Sequence, residues 1–131
     1  MLPIRDLQRI ARARLRDAEV LLRARRFDGS VYVCGYAVEI RLKTRICSTL
    51  RWAGFPDSNT EFRGYASFRT HNLDVLLHLS GRESIIKTMH LTAWSVVAMW
   101  DPETRYLPIG SASAADAKAM LHSAREVLEA L

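Results

Sequence analysis

The sequence predicts an all-α fold: an up-and-down four-helix bundle with one additional short helix, formed by residues 1–131 as a single domain. Three observations predict it. Apolar residues recur at helical spacing along nearly the whole chain. No stretch alternates apolar and polar residues for long enough to make a strand. Turn and cap residues gather at a few places and divide the chain into segments of helix length.

The first predicted helix covers Pro3 to Arg26, with Leu7, Ile10, Ala11, Leu15, Ala18, Leu21 and Leu22 on one face. Arg5, Arg9, Arg12, Arg16 and Arg23 form a stripe on the opposite face, while Arg14 falls within the apolar one. Phe27-Asp28-Gly29-Ser30 breaks the pattern and supplies cap residues. A second helix follows from Ser30 to Trp52, ended by Gly54 and Pro56. Its VYVCGYAVEI half is apolar on almost every side, which marks it as the central helix. Glu39 is then buried and needs a partner, for which Lys43 one turn on is placed. Cys34 and Cys47 lie on this helix about 20 Å apart along its axis, too far to bridge.

Residues 53–69 read as a long loop. A short helix from His71 to Leu79 is capped by Thr70 or Asn72 and stopped by Gly81. A longer helix from Ser84 to Trp100 turns Ile85, Ile86, Met89, Ala93, Val96, Val97 and Trp100 inward, and Asp101-Pro102 ends it. After the TRYLPIGSA loop, Ser113 and Asp116 form a capping box. The last helix buries Ala117, Met120, Leu121, Ala124, Val127, Leu128 and Leu131.

Of the 131 residues, 49% are apolar and 25% charged, a balance that excludes intrinsic disorder. No apolar run approaches the roughly 20 residues of a membrane helix, so no membrane partner is expected. The opening MLPIRDLQRIARARLR has no apolar stretch behind its charges. A secretory signal is therefore not expected, and the expected location is cytoplasmic. Charge is uneven: residues 1–51 carry +7 and the remainder −2, and sixteen of the nineteen basic residues are arginine. Arginine pairs bidentately with phosphate and carboxylate, so the N-terminal half suits a nucleic acid or an acidic partner.

The sequence contains no glycine-rich dinucleotide fingerprint, P-loop, HExxH or GxSxG motif. No metal and no cofactor are expected, since the two cysteines lack zinc-site spacing and His71 and His78 stand two helical turns apart. Gly110-Ser111-Ala112-Ser113 precedes a helix N-terminus, where a phosphate could sit, although a plain cap explains it more simply. Arg69, His71, Arg105 and Tyr106 lie at helix ends beside loops, where binding groups concentrate, and form the candidate ligand-binding set.

Three stretches together resemble the HEPN domain of prokaryotes. ARRFDGSVYVCGYAVEIRLKTRI is similar to the family's small turn and aromatic-rich central helix with Ala-x-Glu and Leu-Lys, here Ala37, Glu39, Leu42 and Lys43. RTHNLDVLLHLSG is similar to its Thr-His-x-Leu-x-x-Leu-Leu segment, on Thr70, His71, Leu73, Leu76 and Leu77. TRYLP is similar to its Arg-Tyr-Pro turn, matched by Arg105 and Tyr106 with Leu107 inserted before Pro108. The resemblance implies a helical bundle, often homodimeric, that binds nucleotide or RNA. It also implies a minimal nucleotidyltransferase as partner, in some cases as toxin and antitoxin.

A subset of that family are metal-independent ribonucleases that carry an Arg, four to six residues, then a His. This sequence has no such pair; Arg63 with His71 and Arg82 with His90 are each eight positions apart. The expectation is therefore a non-catalytic module. The alternative is a ribonuclease with a displaced pair, His71 as acid or base and Arg63 or Arg69 as the phosphate stabiliser. A further alternative is a plain interaction subunit whose arginine stripe meets an acidic partner.

Overall fold

The computed structural model describes residues 1–131 and is predominantly α-helical. Its helices are α1 (Ile4–Arg23), α2 (Phe27–Leu50), α3 (Leu73–Leu79), α4 (Glu83–Met89), α5 (Leu91–Val97) and α6 (Ala114–Ala130). Leu2–Pro3 (β1) and Gly54–Phe55 (β2) pair antiparallel, with Leu2 opposite Phe55. Short 3₁₀ turns cover Ala66–Phe68 and Pro102–Tyr106. No helix is long and apolar enough to cross a membrane.

The predicted central helix is central: α2 packs against α1, α3 and α6, and α5 packs on α6. Cys34, Ala37, Val38, Leu42, Ile46 and Cys47 of α2 are fully buried, and both cysteines are free thiols. One apolar cluster joins these to Leu7 of α1, Leu76 of α3, Ile86 of α4, Trp94 of α5 and Leu121 of α6, so every helix contributes to a single core. Ser30, also buried, donates its hydroxyl to the Ala18 carbonyl at 2.8 Å and fastens α2 to α1.

Several boundaries differ from the expectation. The Phe27–Ser30 stretch is not a break but the first turn of α2; the break is Ala24–Arg26, where Arg25 takes a left-handed φ of 60°. Asp28 therefore caps nothing on its own helix. Its carboxylate instead accepts the amides of Gly110 at 2.7 Å and Ala112 at 2.8 Å. The anion at the mouth of the 110–113 segment is thus the protein's own carboxylate. α2 ends at Leu50, because Arg51 turns left-handed (φ 58°) and Trp52 closes back onto the Cys47 carbonyl.

The 53–69 loop is organised by aromatics: Trp52 lies 5.1 Å from both Tyr65 and Phe68, and Phe55 lies 6.1 Å from Phe62. Of the two predicted caps for α3, Asn72 is the one that acts, accepting from the Val75 amide, while Thr70 accepts from Asn72 itself. The predicted 84–100 helix is two helices that meet at His90 (φ −134°), whose imidazole binds Glu126 of α6 at 3.0 Å. That bend changes the buried face. Ile86 is buried before it, and Ala93, Trp94 and Val97 after it, leaving Ile85 and Met89 exposed against expectation. Ile10 is also exposed, and Arg14 points to solvent and pairs with Asp17 at 3.0 Å. The Ser113–Asp116 capping box opens α6 as predicted.

Gly35 is where the backbone of α2 meets the Trp100 ring: a Cβ there would stand 2.0 Å from the indole. The indole Nε1 donates to the Tyr32 carbonyl at 3.1 Å, which locks the approach. Gly35→Ala is expected to cost about 1–3 kcal/mol by overpacking, read as a lower denaturant midpoint. An unchanged midpoint would mean that Trp100 does not rest on this glycine.

The two amide bonds, that of Gly110 first and that of Ala112 second, hold the Asp28 pKa below its ordinary 3.8. A depressed folded value makes the stabilisation full above that ordinary value and lost as pH falls through the lower folded one. Asp28→Asn is therefore expected to be less stable than the native chain at neutral pH, with the gap closing in acid. A pH-independent gap in denaturant melts would contradict this.

Candidate functional site

Tyr32, Tyr36, Glu39 and Lys43 follow one another at intervals of four, three and four residues, and so line one face of α2. Helix geometry alone aligns them, in the stretch that otherwise reads as uniformly apolar. Burying Glu39 removes its carboxylate from water, and such a charge persists only if paired. Its side chain is 3% exposed and has two partners: Lys43 Nζ at 2.7 Å, as predicted, and His71 Nδ1 at 3.0 Å. Lys43 Nζ also lies 5.3 Å from the centre of the Phe55 ring, which packs the lysine between core and carboxylate.

Glu39 fixes how His71 presents itself. A carboxylate accepts only, so Nδ1 carries the hydrogen and donates it. Nε2 makes no hydrogen bond within the chain, and the His71 side chain is 59% exposed. The ring thus projects one oriented nitrogen outward, the arrangement by which a carboxylate directs an imidazole toward a ligand or a proton. It opens onto a cleft of about 290 Å³ between the start of α3 and the end of α5, lined also by Asn72, Asp74, Met99, Trp100 and Asp101.

Trp100 carries the site onward. Its ring meets Tyr36 edge-on at 5.0 Å, Tyr36 meets Tyr32 edge-on at 5.2 Å, and the two hydroxyls are 3.4 Å apart. The Tyr36 phenol is pushed up to about 12, foremost by its hydrogen bond with Tyr32, then by burial and the nearby Glu39 charge. Arg105, in the 3₁₀ turn that Asp101 caps, lies with its guanidinium 4.7 Å from the Tyr106 ring centre. The hydroxyl of Tyr106 first, and that of Tyr32 second, raise its already high pKa. Arg105 and Tyr106 are both exposed.

Of the sequence-predicted residues, His71 lines the cleft with Trp100, and Arg105 and Tyr106 lie further on, linked to it through Tyr36 and Tyr32. Arg69 is held elsewhere: it donates to Asn59 at 2.6 Å and stacks on Phe62 at 5.6 Å, within the 53–69 segment. Arg63 is exposed and makes no side-chain bond, and nothing brings it to His71. The second near-miss pair is also apart, since Arg82 precedes α4 while His90 is engaged with Glu126. Sequence reasoning missed Tyr32 and Tyr36. The signal was present in their four-residue spacing and their alignment with Glu39. Trp94 is buried and also donates its Nε1 to Asp74 at 2.9 Å. No three His, Cys, Asp or Glu side chains converge on a point where a metal could bind.

No family model, curated protein or solved structure matches this chain.

Glu39→Gln should lower stability by about 2 kcal/mol, as for a charge-assisted bond lost in a buried setting. It should also release His71 from its single tautomer, which nitrogen NMR of the ring reads directly. A native ring already divided between tautomers would contradict the orienting role of Glu39.

Proposed function

We propose that this chain is a HEPN-like module that binds a nucleotide or RNA across the His71–Arg105 surface without cleaving it. The observation that carries this reading is the oriented, outward-facing His71 on a buried carboxylate, linked through Trp100, Tyr36 and Tyr32 to an exposed arginine. Such a surface supplies a hydrogen-bonding imidazole, a permanent cation for a phosphate, and aromatic faces for a base. The resemblance of the Glu39, His71 and Arg105–Tyr106 segments to that family supports the same reading.

On that reading a minimal nucleotidyltransferase is the expected protein partner, within a toxin–antitoxin-type pair, and the module is a homodimer. The apolar side chains beside the surface support an association of this kind. Met99 is 85% exposed and Ile109 fully so, and Tyr106 and Leu107 are exposed between them in sequence.

The Glu39–His71 pair also favours a second reading, in which His71 moves a proton during cleavage of a phosphodiester. Arg105, rather than Arg69, is then the stabilising cation, because Arg69 is held by Asn59 and Phe62 while Arg105 is exposed.

One set of measurements decides between them: RNA and nucleotide binding over a salt series, with RNA cleavage followed in EDTA. Binding should weaken steeply with salt. Arg105→Ala and His71→Ala should each weaken it roughly tenfold, the effect of one contact of about 1.4 kcal/mol. Cleavage that disappears in His71→Ala would replace the binding module by the ribonuclease. Salt-independent binding, or none, would overturn both.

A further inference from the structure

A second feature lies on the other side of α2. Arg41 faces the groove between α1 and α6 there, and Arg45 follows it one turn along α2. That groove encloses about 310 Å³, and Arg12 of α1, Arg41 of α2 and Arg125 of α6 all line it. Leu15 and Leu128 give it an apolar wall, and Glu129 is the one carboxylate in its lining.

The partners of these cations are few. Arg125 is engaged by Glu19 at 2.9 Å. Arg41 donates Nε to the Leu128 carbonyl at 3.2 Å, which leaves its terminal nitrogens without a protein acceptor. Arg12 has neither an ion pair nor a hydrogen bond through its side chain. Arg45 has its Nε enclosed by protein with no acceptor at all. Arg41 is half-buried, and its pKa is lowered by burial first and then by the like charges of Arg45 and Arg12.

Like charges held close in a partly desolvated groove repel, and a solvated arginine stripe would fan out into water instead. Arg12 and the terminal nitrogens of Arg41 line this groove with no acceptor from the protein itself. An oxyanion in the groove supplies what is missing. It offers several acceptors to the guanidinium forks and cancels their repulsion.

We infer that the groove between α1, α2 and α6 is an anion-binding site, separate from the His71 surface, that takes a phosphate group through Arg12 and Arg41, with Arg125 beside them. Guanidinium forks match a tetrahedral oxyanion from several directions. The cavity is also large enough for the phosphate together with part of the molecule that carries it. The apolar wall of Leu15 and Leu128 suits that attached part.

The test is calorimetric titration of the full chain with inorganic phosphate and, in a second arm, with a phosphate monoester, at constant ionic strength. The expected result is saturable binding of one phosphate per chain at the groove, measured in an Arg105→Ala background that removes the cation of the His71 surface. Arg12→Gln removes a cation that holds nothing in the fold, so it should weaken binding about tenfold or more while leaving the far-ultraviolet spectrum unchanged. The component lost in Arg12→Gln should persist in His71→Ala and in Arg105→Ala, which separates this site from the nucleotide surface. Tighter binding of the monoester would assign the apolar wall to the attached group. Equal binding would make the site one for free phosphate; either supports the inference. Three outcomes would overturn it: no heat beyond that of matched sodium chloride, binding untouched by Arg12→Gln, or Arg12→Gln dissolving a dimer while phosphate binds nowhere. The last would identify the occupant as a carboxylate surface of a second copy.

Discussion

A single buried charge organises one side of this molecule. Glu39 sits in the middle of the central helix, where an unpaired carboxylate would cost several kcal/mol. It therefore recruits Lys43 from its own helix and His71 from the segment entering α3. The second of these contacts spans 32 residues, so it fixes the end of the long 53–69 connection against α2. The aromatic packing of Phe55 on Lys43 strengthens that arrangement from the loop side. An apolar residue at position 39 would fill the core as well, but it would leave His71 without an orientation. The carboxylate is what converts a helix-packing contact into a directed chemical group.

The central helix also divides its two polar functions by angle. At 100° per residue, Arg45 lies 240° around the axis from Glu39 and Arg41 lies 200° from it, so both arginines are turned well away. Gly35 adds a third property to the same helix, a flat place where the Trp100 ring can rest against the backbone. α2 thus carries a carboxylate face, a guanidinium face and an indole platform within 11 residues, Gly35 to Arg45. The surrounding helices define what each face meets: α3 and the 3₁₀ turn on one side, α1 and α6 on the other.

Much of this was legible from residue order alone. The helical class, the centrality of α2, the burial of Glu39 with Lys43 beside it and the Ser113–Asp116 cap all follow from local rules of spacing and capping. What escaped depends on contacts between distant segments. Asp28 looked like a cap, and its true partners are amides more than 80 residues away. His90 looked like an ordinary member of a long helix until Glu126 of α6 gave it a reason to turn. Of the candidate site, His71, Arg105 and Tyr106 could be found by their places at helix ends, but their connection through Tyr36 and Trp100 could not. Nearness in sequence to His71 brings neither Arg69 nor Arg63 to it: Arg69 is engaged by Asn59 and Phe62, and Arg63 makes no side-chain bond.

The Asp28 clasp has a kinetic meaning. α1 and α2 are joined by three residues, so they can meet while the rest of the chain is still uncoiled. α6 must return across the whole intervening chain before it can pack on them, and the entropy of closing so large a loop opposes that step. The bonds from Asp28 to Gly110 and Ala112 hold the segment that leads into α6, and thereby shorten the remaining search for its docked position. Arg12 of α1 and Arg41 of α2 belong to the α1–α2 hairpin and meet when it forms, so the docking of α6 adds only Arg125 to the groove, and that arginine arrives with a partner, Glu19 of α1.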